Sequence, residues 1–258
     1  MTRRKGHYGV DGSFEWAPLS WQVAFWAGVM SGLAALSARG LRRRRPLEAL
    51  VPGLALTGIG SFLALVLQTS LAGKFAVWEG LLDELELDGS EHVLDLGCGR
   101  GAVLMGAARR LTAGHATGID LWRADQSGNS PDETRRNAEL EGVSGTVSVL
   151  TADMTHLPFP GAAFDVVLSN LALHNLPGEG RRRAVDEAVR VVRPGGRVVL
   201  VDLGFTRSYA RRLRESGMEG VRRRNAGWRM WFGGPYLPAH VVTAKFPSPS
   251  PHQRSRPT

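Results

Sequence analysis

The chain has 258 residues, 43% hydrophobic and 22% charged, with a formal charge of +8. That length allows one α/β domain of about 150 to 200 residues with a remainder, and the composition excludes wholesale disorder. The single cysteine, Cys98, excludes an internal disulfide framework and cysteine-rich zinc or cluster sites, and no other metal site is evident. Much of the positive charge sits in three arginine runs at 42–45, 181–183 and 222–224, which suit a basic membrane-facing surface as well as they suit nucleic acid.

Residues 1–15 form a polar N-terminal segment, and 16–73 read as a hydrophobic, helical membrane-anchor region. Within it, 23 residues from Trp16 to Ala38 and 25 from Ala49 to Gly73 carry no formal charge. Either is long enough to cross a hydrocarbon core about 30 Å thick. The first has Trp16, Trp21 and Trp26 toward one end and arginines past the other, the usual interfacial anchors. The second carries Pro52, Gly53, Gly58 and Gly60, which are better tolerated in membrane helices than in water. The arginines after Ala38 suit a stop-transfer flank better than a cleaved signal. If both segments span and the turn from Arg39 to Arg45 faces the cytosol, the downstream domain lies outside the cell. A cytosolic domain therefore needs an exception, and the glycine-bearing second segment is expected to be the non-spanning one. The bland alternative is two buried helices of a soluble cap.

From Lys74 the texture changes to short apolar runs alternating with amphipathic stretches, as in repeated βα units on a mostly parallel sheet. Strands are predicted at 92–96, 115–120, 146–151, 164–170 and 197–203, with helices between them. Ser130, followed by Pro131, Asp132 and Glu133, predicts a capped helix start after a long loop from Trp122 to Asn129. Pro194, Gly195 and Gly196 predict a helix-to-strand turn. The stretch from Ser208 to Phe246 fits a last helix and an antiparallel strand pair. The domain is bounded at 74–246, and 247–258, rich in proline and polar residues, reads as a disordered tail.

The first strand runs into HVLDLGCGRGAVL, where Asp95 is followed by Gly97, Gly99 and Gly101 before a helix opens. Glycine tolerates positive φ and lets a ligand approach the main chain, and the helix start offers unpaired N–H groups. The spacing also satisfies a dinucleotide fingerprint, with Asp120 placed 21 residues after Gly99 as a ribose acceptor would be. A carboxylate at Asp95 would oppose a pyrophosphate and suits a cationic amino acid group, which tips the balance away from NAD.

At this point the residues resemble the class I S-adenosylmethionine-dependent methyltransferases, in particular the small-molecule branch that includes the ubiquinone/menaquinone-biosynthesis enzymes. The matching segments are the glycine loop, TGIDLW, TADMTHLPF, FDVVLSNLALHNL and RVVRPGGRVVLVDL, within about Lys74 to Lys245. The resemblance implies a Rossmann-like α/β fold with a mostly parallel seven-stranded sheet flanked by helices. It also implies S-adenosyl-L-methionine as cofactor. Asp95, Gly97, Gly99 and Gly101 would line its methionine and ribose portion, Asp120 with Leu121 the ribose, Asp153 and Met154 the adenine, and Asn170 with Leu171 the sulfonium. Asp153 also has a plain reading as a turn cap.

His174, just past the fourth strand, is the candidate for proton removal or substrate contact, with a packing role at the pocket rim as the alternative. Trp228, Trp231, Phe232 and Tyr236 are suspects for an acceptor pocket, although aromatic residues in a terminal strand pair commonly pack the core. The reading is therefore a membrane-associated enzyme with a cytoplasmic catalytic domain that methylates a small-molecule or lipid-like acceptor. Two alternatives are weighed: a non-catalytic membrane module that keeps the fold, and an NAD-dependent oxidoreductase. Nucleic acid is a disfavoured partner, because no target-recognition insert is visible. The family uses one such cofactor site for carbon, oxygen, nitrogen and sulfur acceptors.

Overall fold

The computed structural model describes residues 4–11, 19–123 and 128–248. Trp16, four residues of the loop after Asp120 and most of the predicted tail lie outside the described residues. Seven strands form one sheet: β1 (His92–Leu96), β2 (His115–Asp120), β3 (Val147–Thr151), β4 (Phe164–Asn170), β5 (Val192–Leu203), β6 (Glu219–Asn225) and β7 (Ala239–Lys245). Their order is β3-β2-β1-β4-β5-β7-β6. Strands β1 to β5 run parallel, while β7 is antiparallel to both β5 and β6.

The central strands are apolar on both faces because helices cover both. Val93, Leu94, Leu96, Val166, Val167 and Leu168 are all fully buried. Helices α3 (Lys74–Glu84), α4 (Ala102–Ala108) and α5 (Pro131–Glu141) contribute Trp78, Leu82, Leu104 and Ala138 to the core on one face. On the other, α6 (Gly178–Val191) and α7 (Thr206–Glu215) contribute Val185, Ala188, Tyr209 and Leu213.

The predicted bounds of β1, β2 and β4 coincide with those observed, and β3 begins one residue later than expected. Strand β5 begins at Val192, five residues before the predicted start at 197. Val192 pairs with Phe164 and Arg197 with Val166, so the Pro-Gly-Gly residues expected to form a turn instead bulge within the strand, with Gly195 at φ +83°. The cap at α5 is as expected: Ser130 Oγ accepts from the Glu133 N–H at 3.2 Å, and Pro131 opens the helix.

Ahead of this domain, α1 (Leu19–Arg42) and α2 (Pro46–Gln68) pair along their length, and α2 runs through a π-helical turn (Thr69–Gly73) into α3. The second segment is a continuous helix despite Pro52 and its glycines, alike in length and exposure to the first. Nothing in its backbone sets it apart as the element that stops short. Residues 4–11, expected as a separate polar segment, lie as a strap on the α/β domain. The Lys5 and Gly6 N–H groups and the Tyr8 hydroxyl donate to Glu141 Oε1 at 3.0, 3.0 and 2.8 Å. Asn137 exchanges hydrogen bonds with the backbone of His7, and Tyr8 packs edge-on against Phe75.

Candidate functional site

The strand order reverses between β1 and β4, and open α/β sheets bind ligands in the crevice at that switch point, past the carboxyl ends of the strands. A cavity of about 320 Å³ lies there. Its wall includes Asp95, Gly97, Gly99, Asp120, Leu121, Asp153, Met154, Asn170, Leu171 and His174. The structure thus brings together every residue singled out for the cofactor except Gly101, which caps α4 at φ +82° and stands back from the wall. A Cβ on Gly101 would meet Met105 Cε at 2.7 Å, so that glycine serves the packing of the helix start.

The glycine loop is anchored from both sides. Gly97 and Cys98 donate to the Ile119 carbonyl at 2.9 and 3.0 Å, and Thr134 Oγ1 donates to the Gly99 carbonyl at 2.7 Å. Gly97 has φ +70°, and a Cβ there would lie 2.4 Å from Ala172 Cβ and 3.1 Å from Met154 Cε. Its lack of a side chain keeps the cleft open between the first and fourth strand ends.

Three carboxylates stand along the wall in different states. Asp120 accepts from the Gly99 N–H at 2.9 Å and the Trp122 N–H at 2.7 Å, which fixes both oxygens and leaves each a further acceptor site. Asp153 accepts from the Thr155 N–H at 2.8 Å, and that bond holds its pKa below the ordinary carboxylate range. Asp95 is 1% exposed, and its Oδ1 has no hydrogen-bond partner among the described residues. Burial first, and the charge of Asp120 second, push its pKa up to about 7. A buried, unpaired carboxylate oxygen on a cavity wall calls for a cationic or donor group. Together with the open glycine cradle, it fits the amino end of S-adenosylmethionine.

Two supports escaped sequence reasoning. Asn170 accepts from Trp78 Nε1 at 2.8 Å, so α3 fixes its orientation. His174 Nδ1 lies 2.5 Å from Asp202 Oδ1, and the His174 N–H donates to Asp202 Oδ2 at 2.9 Å. Asp202, 1% exposed at the end of β5, also accepts from the Leu203 N–H at 2.7 Å and the Tyr209 hydroxyl at 3.1 Å. Burial and this carboxylate raise the Tyr209 pKa, keeping the phenol a donor. A single acid closing the apolar run VVLVDL was the available signal.

Of the aromatic suspects, only Phe232 lines the cavity, while Trp228 and Tyr236 are 54% and 73% exposed. Asp11 of the strap and Lys74 of α3 also reach the wall, paired at 2.9 and 3.0 Å with Lys74 nearly inaccessible. In the long loop, Trp122 Nε1 donates to Thr151 Oγ1 at 2.7 Å and Arg123 borders the cavity.

A family model described as a methyltransferase domain matches residues 93–196. The chain is 34% identical over 141 residues to the 27-O-demethylrifamycin SV methyltransferase of Amycolatopsis mediterranei, covering 52% of this chain and 48% of that one. It is 30% identical over 131 residues to the ubiquinone/menaquinone biosynthesis C-methyltransferase of Roseobacter denitrificans, covering 50% of each. The chain spans about half the length of the curated relatives it matches. Among solved structures, the [4+2]-cyclase SpnF superposes with a TM-score of 0.55 at 21% identity, over 66% of this chain and 81% of that one, which is a likeness of fold. Residues 93–196, with the glycine cradle, Asp95, Asp120 and, just past β3, Asp153, thus match a methyltransferase domain in sequence and resemble S-adenosylmethionine-dependent methyltransferases in fold.

Proposed function

We propose that this chain transfers a methyl group from S-adenosylmethionine to a hydroxyl of a small, apolar molecule held in or at a membrane, with the catalytic domain in the cytosol. The observation that carries the reading is one cavity whose wall holds the three carboxylates and, past the end of β4, His174 fixed by buried Asp202. S-adenosylmethionine, when bound, supplies a methyl group activated by its sulfonium. Asp95 would take its ammonium, Asp120 its ribose hydroxyls, and Asp153 with Met154 its adenine.

The chain then has two tasks left: aligning the acceptor and removing its proton. Alignment can contribute roughly 7–11 kcal/mol to such a displacement. Asp202 holds His174 through Nδ1, which leaves Nε2 as the ring nitrogen offered to an acceptor hydroxyl. The buried carboxylate also stabilises the imidazolium formed on proton transfer. An arrangement built to hold a proton favours an oxygen that arrives protonated over one already ionised.

The membrane part of the proposal rests on α1 and α2, long apolar helices on which Trp21, Phe25, Leu36, Leu50, Val51 and Leu54 are all more than half exposed. Cytosolic placement follows from the cofactor, a cytosolic metabolite. The reading is tested by incubating the protein with methyl-labelled S-adenosylmethionine and a lipid extract of its source membranes. Label should appear in an organic-soluble product together with S-adenosylhomocysteine, and should fail to do so with His174→Ala. The cyclase neighbour shows that the fold carries other chemistry. Acceptor conversion without S-adenosylhomocysteine would replace methyl transfer by a reading of that kind, and titration with S-adenosylhomocysteine against NAD separates the dinucleotide alternative.

A further inference from the structure

We infer that α1 and α2 cross a lipid bilayer together as a hairpin, with the Arg42–Arg45 turn on the side opposite to both residues 4–11 and the catalytic domain. The inference rests on the membrane association proposed above and adds the number of crossings and the position of the pocket.

Both ends of the hairpin are tied to one domain. Ahead of α1, the strap is bonded to Glu141 and Asn137, and it ends at Asp11, whose N–H donates to Ser70 Oγ at 3.2 Å and whose carboxylate holds Lys74. The seven residues between Asp11 and Leu19 reach at most about 29 Å when fully extended, short of a hydrocarbon core about 30 Å thick, so α1 starts on the domain's side. Past α2 the helix runs on through Thr69–Gly73 into α3, so the chain returns to that same side. The number of crossings is therefore even. A single span, with the second segment stopping short, would place residues 4–11 and the domain they pack against on opposite sides.

The dimensions select two crossings over none. Helices of 24 and 23 residues are about 36 and 34 Å long, enough to carry the turn through the core. A shallower, re-entrant hairpin would leave Arg42, Arg43, Arg44 and Arg45 in hydrocarbon, where each is costly. A soluble cap would bury one face of each helix, whereas here large apolar side chains face outward on both.

The contact between the two helices is the small-residue type that suits lipid, where apolar side chains gain nothing by leaving the tails. A Cβ on Gly40 would lie 2.4 Å from the Ala49 backbone nitrogen, Ser37 donates to the Ala49 carbonyl at 2.8 Å, and Gly53 and Gly60 face Ser37 and Met30.

The base of the hairpin braces the chain on either side of one residue of the pocket wall. Thr69 donates to the Trp231 carbonyl at 3.0 Å, and a Cβ on Gly233 would fall 2.1 Å from the Phe62 ring of α2. Between those two contacts stands Phe232, which lines the cavity. Around them Trp228, Tyr236 and Leu237 are exposed, an aromatic and apolar rim of the kind that sits at headgroup level. The Phe232 side of the cavity thus stands against the adjacent leaflet, and the acceptor class it fits is an apolar molecule dissolved in that leaflet.

Sidedness labelling tests this on the full chain in cells. Lys5→Cys, Arg43→Cys and Glu139→Cys each add one thiol at an exposed position, and the parent chain, whose Cys98 is 6% exposed, gives the background. Retained S-adenosylhomocysteine binding verifies that each variant is folded. A membrane-impermeant maleimide should label Arg43→Cys in intact cells and the other two only after permeabilisation. The reverse pattern would keep the hairpin and overturn the cytosolic placement. Labelling of Arg43→Cys together with Glu139→Cys, its protection from both sides, separation of Lys5→Cys from Glu139→Cys, or release of the chain by alkaline carbonate would overturn the hairpin. Loss of S-adenosylhomocysteine binding by the parent chain would instead strike the cofactor reading and leave the labelling pattern intact.

Discussion

Asp95 carries a titration that reports on its own role. Burial and the nearby charge of Asp120 raise its pKa to about 7, above the ordinary carboxylate value, so the free fold keeps this proton from about pH 4 to 7 and loses stability as pH rises through that range. Ligand binding runs the other way, because a cation beside Asp95 favours the ionised form. S-adenosylhomocysteine should bind about tenfold more weakly at pH 6 than at pH 8, since the ionised fraction falls from about nine-tenths to one-tenth. Calorimetric titration of the Asp95→Asn variant should show weak binding with that pH dependence gone, and an unchanged slope would remove Asp95 from the amino site. Asp202→Asn should do the opposite: turnover falling by about 10²- to 10⁴-fold with S-adenosylhomocysteine affinity nearly intact, because the variant loses the fixed tautomer and not the cofactor wall. Equal losses in both quantities would make Asp202 a merely structural residue. Asp95, Asp120 and Asp153 were legible because each stands at or just past the end of a strand, at a spacing set by local βα geometry. Asp202 stood in plain view, but its partner His174 is 28 residues away on the neighbouring strand's loop, and no local pattern joins them.

At the scale of elements, the start of α5 was legible from four consecutive residues, while what α5 does at its other end was not. Asn137 is fully buried there, accepting from the His7 N–H at 2.8 Å and donating to the His7 and Arg100 carbonyls at 3.0 and 2.9 Å. It therefore joins the strap to the glycine loop across 130 residues of sequence, a separation over which periodicity and turn signals say nothing. Asn137→Ala strands buried backbone groups and should cost about 2 kcal/mol, lowering Tm by about 4–8 °C in a thermal melt. A variant that melts like the parent chain would show the strap to be a passive passenger. Burial alone would raise the pKa of Glu141, but the Gly6 N–H, the Tyr8 hydroxyl, the Lys5 N–H and Arg109 overcome it and hold it low. This contribution is present above the ordinary glutamate range and is lost as pH falls below it, so strap release belongs to acid and not to neutral pH. The bulge at Gly195 shows a different limit: Pro-Gly-Gly announces irregular backbone, and only pairing with β4 decides that it falls inside a strand.

For the whole molecule, the distribution of the core separates the α/β domain from the paired helices α1 and α2. The two apolar cores flanking the sheet draw on the strap and on residues from Phe75 onward, and they take nothing from α1 or α2. The composition of 16–73 announced an apolar region of another kind; that its two ends meet at Asp11 and Ser70 depends on tertiary packing and was invisible in the sequence. This closeness makes the hairpin removable. Excision of 19–68 leaves seven residues to join Asp11 to Thr69, whose neighbour Ser70 already accepts from the Asp11 N–H at 3.2 Å. The excised protein should stay in the supernatant after alkaline carbonate treatment and bind S-adenosylhomocysteine within a few-fold of the full chain, because no residue of the carboxylate wall is lost. Its turnover with acceptor presented in vesicles should fall much further than its turnover with the same acceptor dispersed in detergent. That outcome would assign the hairpin to delivering acceptor to the Phe232 side of the cavity and not to shaping the cofactor site. Equal losses in vesicles and detergent would mean that Phe62 and α2 act by packing the pocket wall, and the delivery role would fall while the methyltransferase site stood.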